Sequence, residues 1–151
     1  MKKGKAKILM VDDDESICRV MSLILENEGY EVETAHTGED AVKKSRKKPY
    51  DVAILDIRLP DIEGTKLLKV VRETSPEMVT IMLTGYPNLQ NAVDSLNSGA
   101  DAYLVKPPNP EDVINSIEEK LQKRKEGEAA TEERISVFLK ARAEKFLQES
   151  E

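Results

Sequence analysis

Apolar residues along this chain follow two rhythms: short unbroken runs, and longer stretches in which they recur every third or fourth position. The runs cover 8–11, 52–55, 79–83 and 102–105, each bounded by polar or turn residues and each the length of a buried strand. A fifth segment, 30–35, alternates instead, with Tyr30, Val32 and Thr34 on one face, which predicts a half-exposed edge strand. Helical stripes separate the strands. Ile17, Val20, Met21, Ile24 and Leu25 predict a helix over 16–28, ended by Gly29. A second over 38–47 gathers Lys43, Lys44, Arg46 and Lys47 in its last turn, as the helix macrodipole favours. A third over 65–73 carries Leu67, Leu68, Val70 and Val71 and stops before Pro76. A fourth covers 88–98, closed by Gly99. Asn109-Pro110-Glu111-Asp112 then supplies a cap, a first-turn proline and two acids, ahead of a buried stripe of Val113, Ile114, Ile117 and Leu121.

Strand and helix thus alternate five times. This predicts a (βα)5 doubly wound α/β fold: a five-stranded parallel sheet with right-handed crossovers and helices on both faces. Beyond Leu121, residues 122–130 are charged and contain Gly127, which reads as a helix end or linker. Thr131-Glu132-Glu133 would cap a further amphipathic helix bearing Ile135, Phe138, Leu139, Ala143, Phe146 and Leu147. The expected organisation is one domain over 1–125 and a linker with a helical tail over 126–151.

Composition narrows the class. The chain has 151 residues, 39% hydrophobic and 34% charged, enough for one full core and a short appendage. Its net charge of −6 resides in residues 1–121, because acids and bases balance beyond them. That argues against direct nucleic-acid binding. No apolar stretch approaches a membrane span, and Met1-Lys2-Lys3 leads into a strand rather than a signal peptide. The single Cys18 excludes an internal disulfide, suits a reducing cytoplasm, and reads as a small packing residue. His36, on a polar segment after the edge strand, reads as exposed rather than as a ligand.

The chemistry lies where strands end. Asp12-Asp13 follows the first run, Asp56 the third strand, Thr84 the fourth and Lys106 the fifth. In a parallel sheet these ends share one edge, so carboxylates, a hydroxyl and an ammonium converge. Three clustered carboxylates repel one another unless a cation binds. A hard divalent ion resolves the conflict, and Mg2+ fits best because it takes few carboxylates, keeps waters and binds phosphate oxygens. Taken alone, Asp12-Asp13 fits capping of the next helix equally well, Asp14 reads as a solvated residue near that cap, and Thr84 and Lys106 are ordinary turn and surface residues. Pro60 and Gly64 shape the loop after Asp56. A cis Lys106-Pro107 bond would be one way to aim the ammonium inward.

These positions carry a resemblance. The stretches Ile8-Leu9-Met10-Val11-Asp12-Asp13-Asp14, Leu55-Asp56-Ile57-Arg58-Leu59-Pro60 with Glu63-Gly64, Leu83-Thr84-Gly85-Tyr86 and Gly99-Ala100-Asp101-Ala102-Tyr103-Leu104-Val105-Lys106-Pro107 resemble the receiver domain of two-component response regulators. The resemblance covers about residues 7–121. It implies the flavodoxin-like strand order 2-1-3-4-5, in which strands 1 and 3 flank the ligand crevice. It implies that Asp56 accepts a phosphoryl group from a sensor histidine kinase or histidine phosphotransfer protein. Asp12, Asp13, Asp56 and the backbone carbonyl of Arg58 would hold Mg2+. Thr84 and Lys106 would bind phosphoryl oxygens, Tyr103 would be the aromatic switch coupled to Thr84, and Arg58 and Tyr86 would tune dephosphorylation. The implied role is a signalling phospho-acceptor rather than an enzyme.

The output is less constrained. A stand-alone cytoplasmic regulator that switches a partner-binding or dimerisation surface is the first expectation, with Glu149-Ser150-Glu151 read as a natural end. A receiver portion of a longer regulator is the second, and the Tyr86-Pro87 turn resembles receivers joined to larger output modules. A third, an Asp-nucleophile phosphohydrolase, is disfavoured because Arg58, rather than a second acid, stands two residues after Asp56.

Overall fold

A computed structural model describes residues 5–149, apart from the side chains of Phe146 and Glu149. The expectations placed on Met1-Lys2-Lys3, on the Phe146 side chain and on the Ser150-Glu151 end lie outside the described residues. Ten elements alternate along the chain: β1 (Lys7–Val11), α1 (Glu15–Asn27), β2 (Glu31–Ala35), α2 (Gly38–Lys47), β3 (Val52–Asp56), α3 (Gly64–Thr74), β4 (Val79–Thr84), α4 (Leu89–Asn97), β5 (Ala102–Val105) and α5 (Pro110–Glu149). The strands form one sheet in the order β2-β1-β3-β4-β5, and every pairing is parallel.

Both faces of the central strands are covered, which is why β1, β3 and β4 read as unbroken apolar runs. Successive side chains point to opposite faces. Ile8, Met10, Val52, Ile54, Ile81 and Leu83 pack with Cys18, Met21 and Leu25 of α1 and Val113 and Ile117 of α5. Leu9, Val11, Ala53, Leu55 and Met82 pack with Ala41 of α2 and Leu67, Leu68 and Val71 of α3. The alternating segment is the edge strand β2, as its pattern predicts, and Tyr30 is buried just before it. Gly29 and Gly99 hold φ near +98° and +99°, left-handed values that let the chain leave α1 and α4 at little cost.

The expected break at 122–130 is absent: α5 is a single helix of 40 residues. Gly127 costs a helix only about 1 kcal/mol relative to alanine, and its neighbours offset that. Gln122 bonds to Glu126, Lys123 pairs with Glu119, and Arg124 pairs with Glu128. Thr131 caps nothing; its hydroxyl donates back to the Gly127 carbonyl at 2.9 Å, a bond that keeps a threonine inside a helix. Arg124 also donates to the carbonyls of Asp51 and Glu77 and to Asp51 Oδ1, tying the helix to the base of the sheet. Beyond it, Ile135, Phe138, Leu139 and Leu147 are exposed.

Candidate functional site

Register brings the site together. Val11 pairs with Leu55, so Asp12 emerges beside Asp56 where strand order reverses, the position at which open α/β sheets bind ligands. Asp56 pairs with Leu83 and Thr84 with Val105, so Thr84 and Lys106 follow on the next two strands. Four neighbouring strands each deliver one polar side chain to the same edge.

Three of those side chains are fixed by the same local device. Asp12 Oδ1 accepts the Asp14 N–H at 2.9 Å, Asp56 Oδ1 accepts the Arg58 N–H at 3.2 Å, and Thr84 Oγ1 accepts the Tyr86 N–H at 2.9 Å. In each case a strand-end oxygen bonds to the backbone two residues on, closing an Asx- or Ser/Thr-type turn. The second carboxylate oxygens of Asp12 and Asp56 remain for other partners. Asp14, not Asp12 or Asp13, caps α1, accepting from Ser16 and Ile17 N–H groups. The two preceding acids are therefore released from capping.

One carboxylate oxygen from each of Asp12, Asp13 and Asp56 lies within 4.8 Å of the others. Asp12 and Asp56 are buried and Asp13 is exposed. Lys106 Nζ reaches 3.1 Å from Asp56 Oδ2 and 2.6 Å from Asp12 Oδ2. The first contact is an aligned hydrogen bond. The second is a close ion pair, and Asp12 Oδ2 has no further donor among the described residues. One ammonium thus contacts two of the three clustered carboxylates. Burial, and then the charge of Asp12, push the Asp56 carboxyl up to about 6. Burial pulls the Lys106 ammonium down, but its bonds and attraction to Asp12 and Asp56 outweigh this and its pKa lies above the ordinary lysine value. Excess negative charge, an all-oxygen donor set and an undersatisfied buried oxygen fit a hard divalent cation.

The remaining expected residues surround this centre. Thr84 is fully buried, and its carbonyl accepts the Lys106 N–H at 2.7 Å. The Lys106–Pro107 bond is cis. Arg58 and Tyr86 line the crevice with Asp13, Asp14, Asp56 and Lys106, and the Arg58 guanidinium lies over the Tyr86 ring, 4.0 Å from its centroid. Tyr103 stands apart, half-buried on β5, its ring against the core facing α2 and α3. Its hydroxyl is buried without a hydrogen-bond partner among the described residues.

Three residues given no part in the site by the sequence, His36, Cys18 and Asp61, support it, and Gly64, expected to shape the loop after Asp56, does so by close packing. His36 is half-buried rather than exposed. Its Nδ1 lies 3.0 Å from the Asp12 carbonyl oxygen, because Ala35 ends β2 in register with Val11. Cys18 Sγ approaches the same oxygen at 3.4 Å, and burial followed by the Asp12 charge raises its pKa to about 11, so the thiol stays protonated and unreactive. Asp61 reaches across from the loop after β3 to accept the Gly38 and Glu39 N–H groups of α2 at 2.8 and 2.9 Å. Gly64 donates to the Ile57 carbonyl at 2.7 Å, and a Cβ there would stand 2.1 Å from the Asp56 carbonyl oxygen. The His36 contact follows from the β1–β2 register and that of Asp61 joins loops far apart in the chain, whereas Cys18 and Gly64 meet partners six and seven residues away.

Comparison with known proteins accords with this geometry. Residues 8–118 match the response regulator receiver domain family. The transcriptional regulatory protein TrcR of Mycobacterium tuberculosis is 34% identical over 131 residues, covering 87% of this chain and 51% of its own length. The alkaline phosphatase synthesis transcriptional regulatory protein PhoP of Bacillus subtilis is 39% identical over 107 residues, covering 71% and 45%. The chain therefore spans about half the length of these curated relatives. Among solved structures, a CheY-like receiver domain protein from Methanospirillum hungatei superposes with a TM-score of 0.79 at 46% identity, covering 82% of this chain and 99% of that one. A response regulator from Burkholderia pseudomallei, solved with a phosphorylated aspartic acid and a calcium ion, gives 0.73 at 28% identity, covering 83% and 74%. This chain belongs to the response regulator receiver domain family of two-component signal transduction systems.

Proposed function

We propose that Asp56 is the phospho-acceptor of a Mg2+-dependent receiver that takes its phosphoryl group from a histidine kinase or histidine phosphotransfer protein. The carrying observation is the carboxylate cluster of Asp12, Asp13 and Asp56, with Lys106 bridging Asp12 and Asp56. Asp12, Asp13, Asp56 and the Arg58 carbonyl would hold the ion, which when bound would offset negative charge on the transferring phosphoryl group. An Asp56 oxygen attacks phosphorus, a P–O bond forms as the P–N bond to phosphohistidine breaks, and the imidazole leaves. Lys106, already against Asp56, stabilises charge on the phosphoryl oxygens. The Thr84 hydroxyl, which accepts from Tyr86, keeps its own proton to donate to one of those oxygens.

Thr84 and Tyr103 would carry the signal outward. A buried hydroxyl without a partner costs about 1–3 kcal/mol, while the Tyr103 ring gains from burial. Inward and outward positions of Tyr103 are thus closely balanced, and a shift of Thr84 toward phosphoryl is enough to bias them. The receiver would end near residue 125, and the part of α5 beyond it, as far as Glu149, would be a helical arm. Output passes by protein contact, with a partner or a second copy, rather than by direct contact with nucleic acid, which the net acidity disfavours. The protein operates in the cytoplasm, a setting suited to its single buried thiol. No described helix is long and apolar enough to cross a membrane.

A phosphohydrolase reading would need an acid two residues after Asp56 to protonate a leaving group; Arg58 stands there instead, stacked on Tyr86. The test is transfer from a phosphorylated kinase domain with Mg2+ present. Labelling that stops near one phosphoryl group per chain, and is lost in Asp56→Asn, supports a receiver. Sustained release of phosphate from simple phosphate esters would support the hydrolase.

A further inference from the structure

The exposed end of α5 divides by charge. Residues 126–133 hold Glu126, Glu128, Glu132 and Glu133 with no base, whereas 134–145 hold Arg134, Lys140, Arg142 and Lys145 against the single acid Glu144. Across the junction sit large apolar side chains in solvent: Ile135 is 54% exposed, Phe138 61% and Leu139 59%. At helical spacing Glu132, Ile135, Leu139 and Arg142 share one face, and the Arg142 guanidinium lies over the Phe138 ring, 5.8 Å from its centroid. An acid, an apolar patch and a base therefore follow one another along a single stripe.

This arm needs a partner. Past Arg124 it extends roughly 37 Å at 1.5 Å per residue with large apolar side chains in solvent, and in proteins most helical stability comes from packing such a face. It cannot fold back onto its own receiver, because α5 contains no break.

We propose that the partner is a second copy of this chain, the two arms lying antiparallel with Ile135 of each against Leu139 of the other. That register sets Glu132 of each copy opposite Arg142 of the other, and two-fold symmetry makes both contacts at once. Phe138 then lies near the centre of the shared apolar patch. A parallel pairing is disfavoured, since it would set Glu132 against Glu132 and Arg142 against Arg142. Antiparallel arms carry the two receivers to opposite ends of the pair, leaving the Asp56 crevice of each open. The inference is independent of the chemistry at Asp56.

Sedimentation equilibrium of the full chain over a range of micromolar concentrations tests the proposal. A monomer–dimer equilibrium is expected. Glu132→Arg and Arg142→Glu should each raise the dimer dissociation constant about tenfold or more, since each creates two like-charge contacts. Mixing the two variants in equal amounts should restore wild-type association, because the heterodimer satisfies every contact. Phe138→Glu should weaken dimerisation without a charge partner to rescue it, and circular dichroism should show the helix intact in all variants. A chain that stays monomeric, even while its arm binds another protein or a lipid vesicle, overturns the proposal. So does a dimer indifferent to either charge reversal, or one that mixing fails to restore.

Discussion

The guanidinium of Arg58 and the ring of Tyr86 meet 4.0 Å apart over the mouth of the crevice that holds Asp56. One residue follows the acidic strand end of β3 by two positions and the other follows Thr84 by two, so neighbouring loops supply the two halves of one contact. A cation–π pair at an exposed site is worth about 0.5–1 kcal/mol, which biases both side chains toward the approach to Asp56. Truncating either to alanine should open that approach to water and shorten the life of the phosphoryl group by roughly three- to tenfold. Because the residues act as a pair, the double variant should add little to either single one. Phosphate release from labelled protein measures this directly.

Lys106 holds two buried carboxylates together. Replacing it with methionine removes the cation but leaves the acids, and stranding buried charge costs about 3–5 kcal/mol. Urea unfolding at pH 7 should show a loss of that order. The loss should shrink at pH 5, where Asp56 is largely protonated, and on addition of Mg2+.

Asp56 makes an opposite prediction. Its folded carboxyl titrates near 6, above the ordinary value of 3.8, so between those values the folded protein binds more protons than the unfolded chain. Stability attributable to this group therefore falls as pH rises from about 4 to about 6 and stays lower above that. Asp56→Asn should stabilise the metal-free protein at pH 7 by on the order of 2 kcal/mol, an advantage that vanishes near pH 4. A variant less stable than wild type at pH 7 would contradict the electrostatics proposed for the site.

Gly64 is sensitive for a steric reason. A Cβ there meets the Asp56 carbonyl oxygen at 2.1 Å and Ile57 Cα at 2.8 Å, both backbone atoms that cannot swing aside. Gly64→Ala should cost about 2–3 kcal/mol and displace the acceptor strand end, lowering the phosphorylation rate as well as the thermal midpoint. Asp61→Ala, which removes only the distant cap of α2, should lower the thermal midpoint slightly and leave that rate unchanged.

Much of this was legible in the order of residues. Unbroken runs at Ile8, Val52 and Val79 marked strands covered on both faces, and the alternation through Val32 marked the edge. The residue after each run identified Asp12, Asp56, Thr84 and Lys106. What escaped were contacts set by how helices and loops pack over the strand ends, most of them with partners remote in sequence. Nothing local to His36 or Cys18 signals the Asp12 carbonyl, and nothing local to Asp61 signals the first turn of α2. Gly127 misled for another reason: a single glycine is a weak helix breaker, and the side-chain pairs of Gln122, Lys123 and Arg124 outweigh it.

Intact mass of the purified chain after exposure to acetyl phosphate tests the central claim most directly. With Mg2+ present, wild type should gain a single phosphoryl adduct. The adduct should be absent when EDTA replaces Mg2+, and absent in Asp56→Asn under either condition. An adduct that persists in Asp56→Asn, or wild type that remains unmodified with Mg2+ and donor in excess, would contradict it.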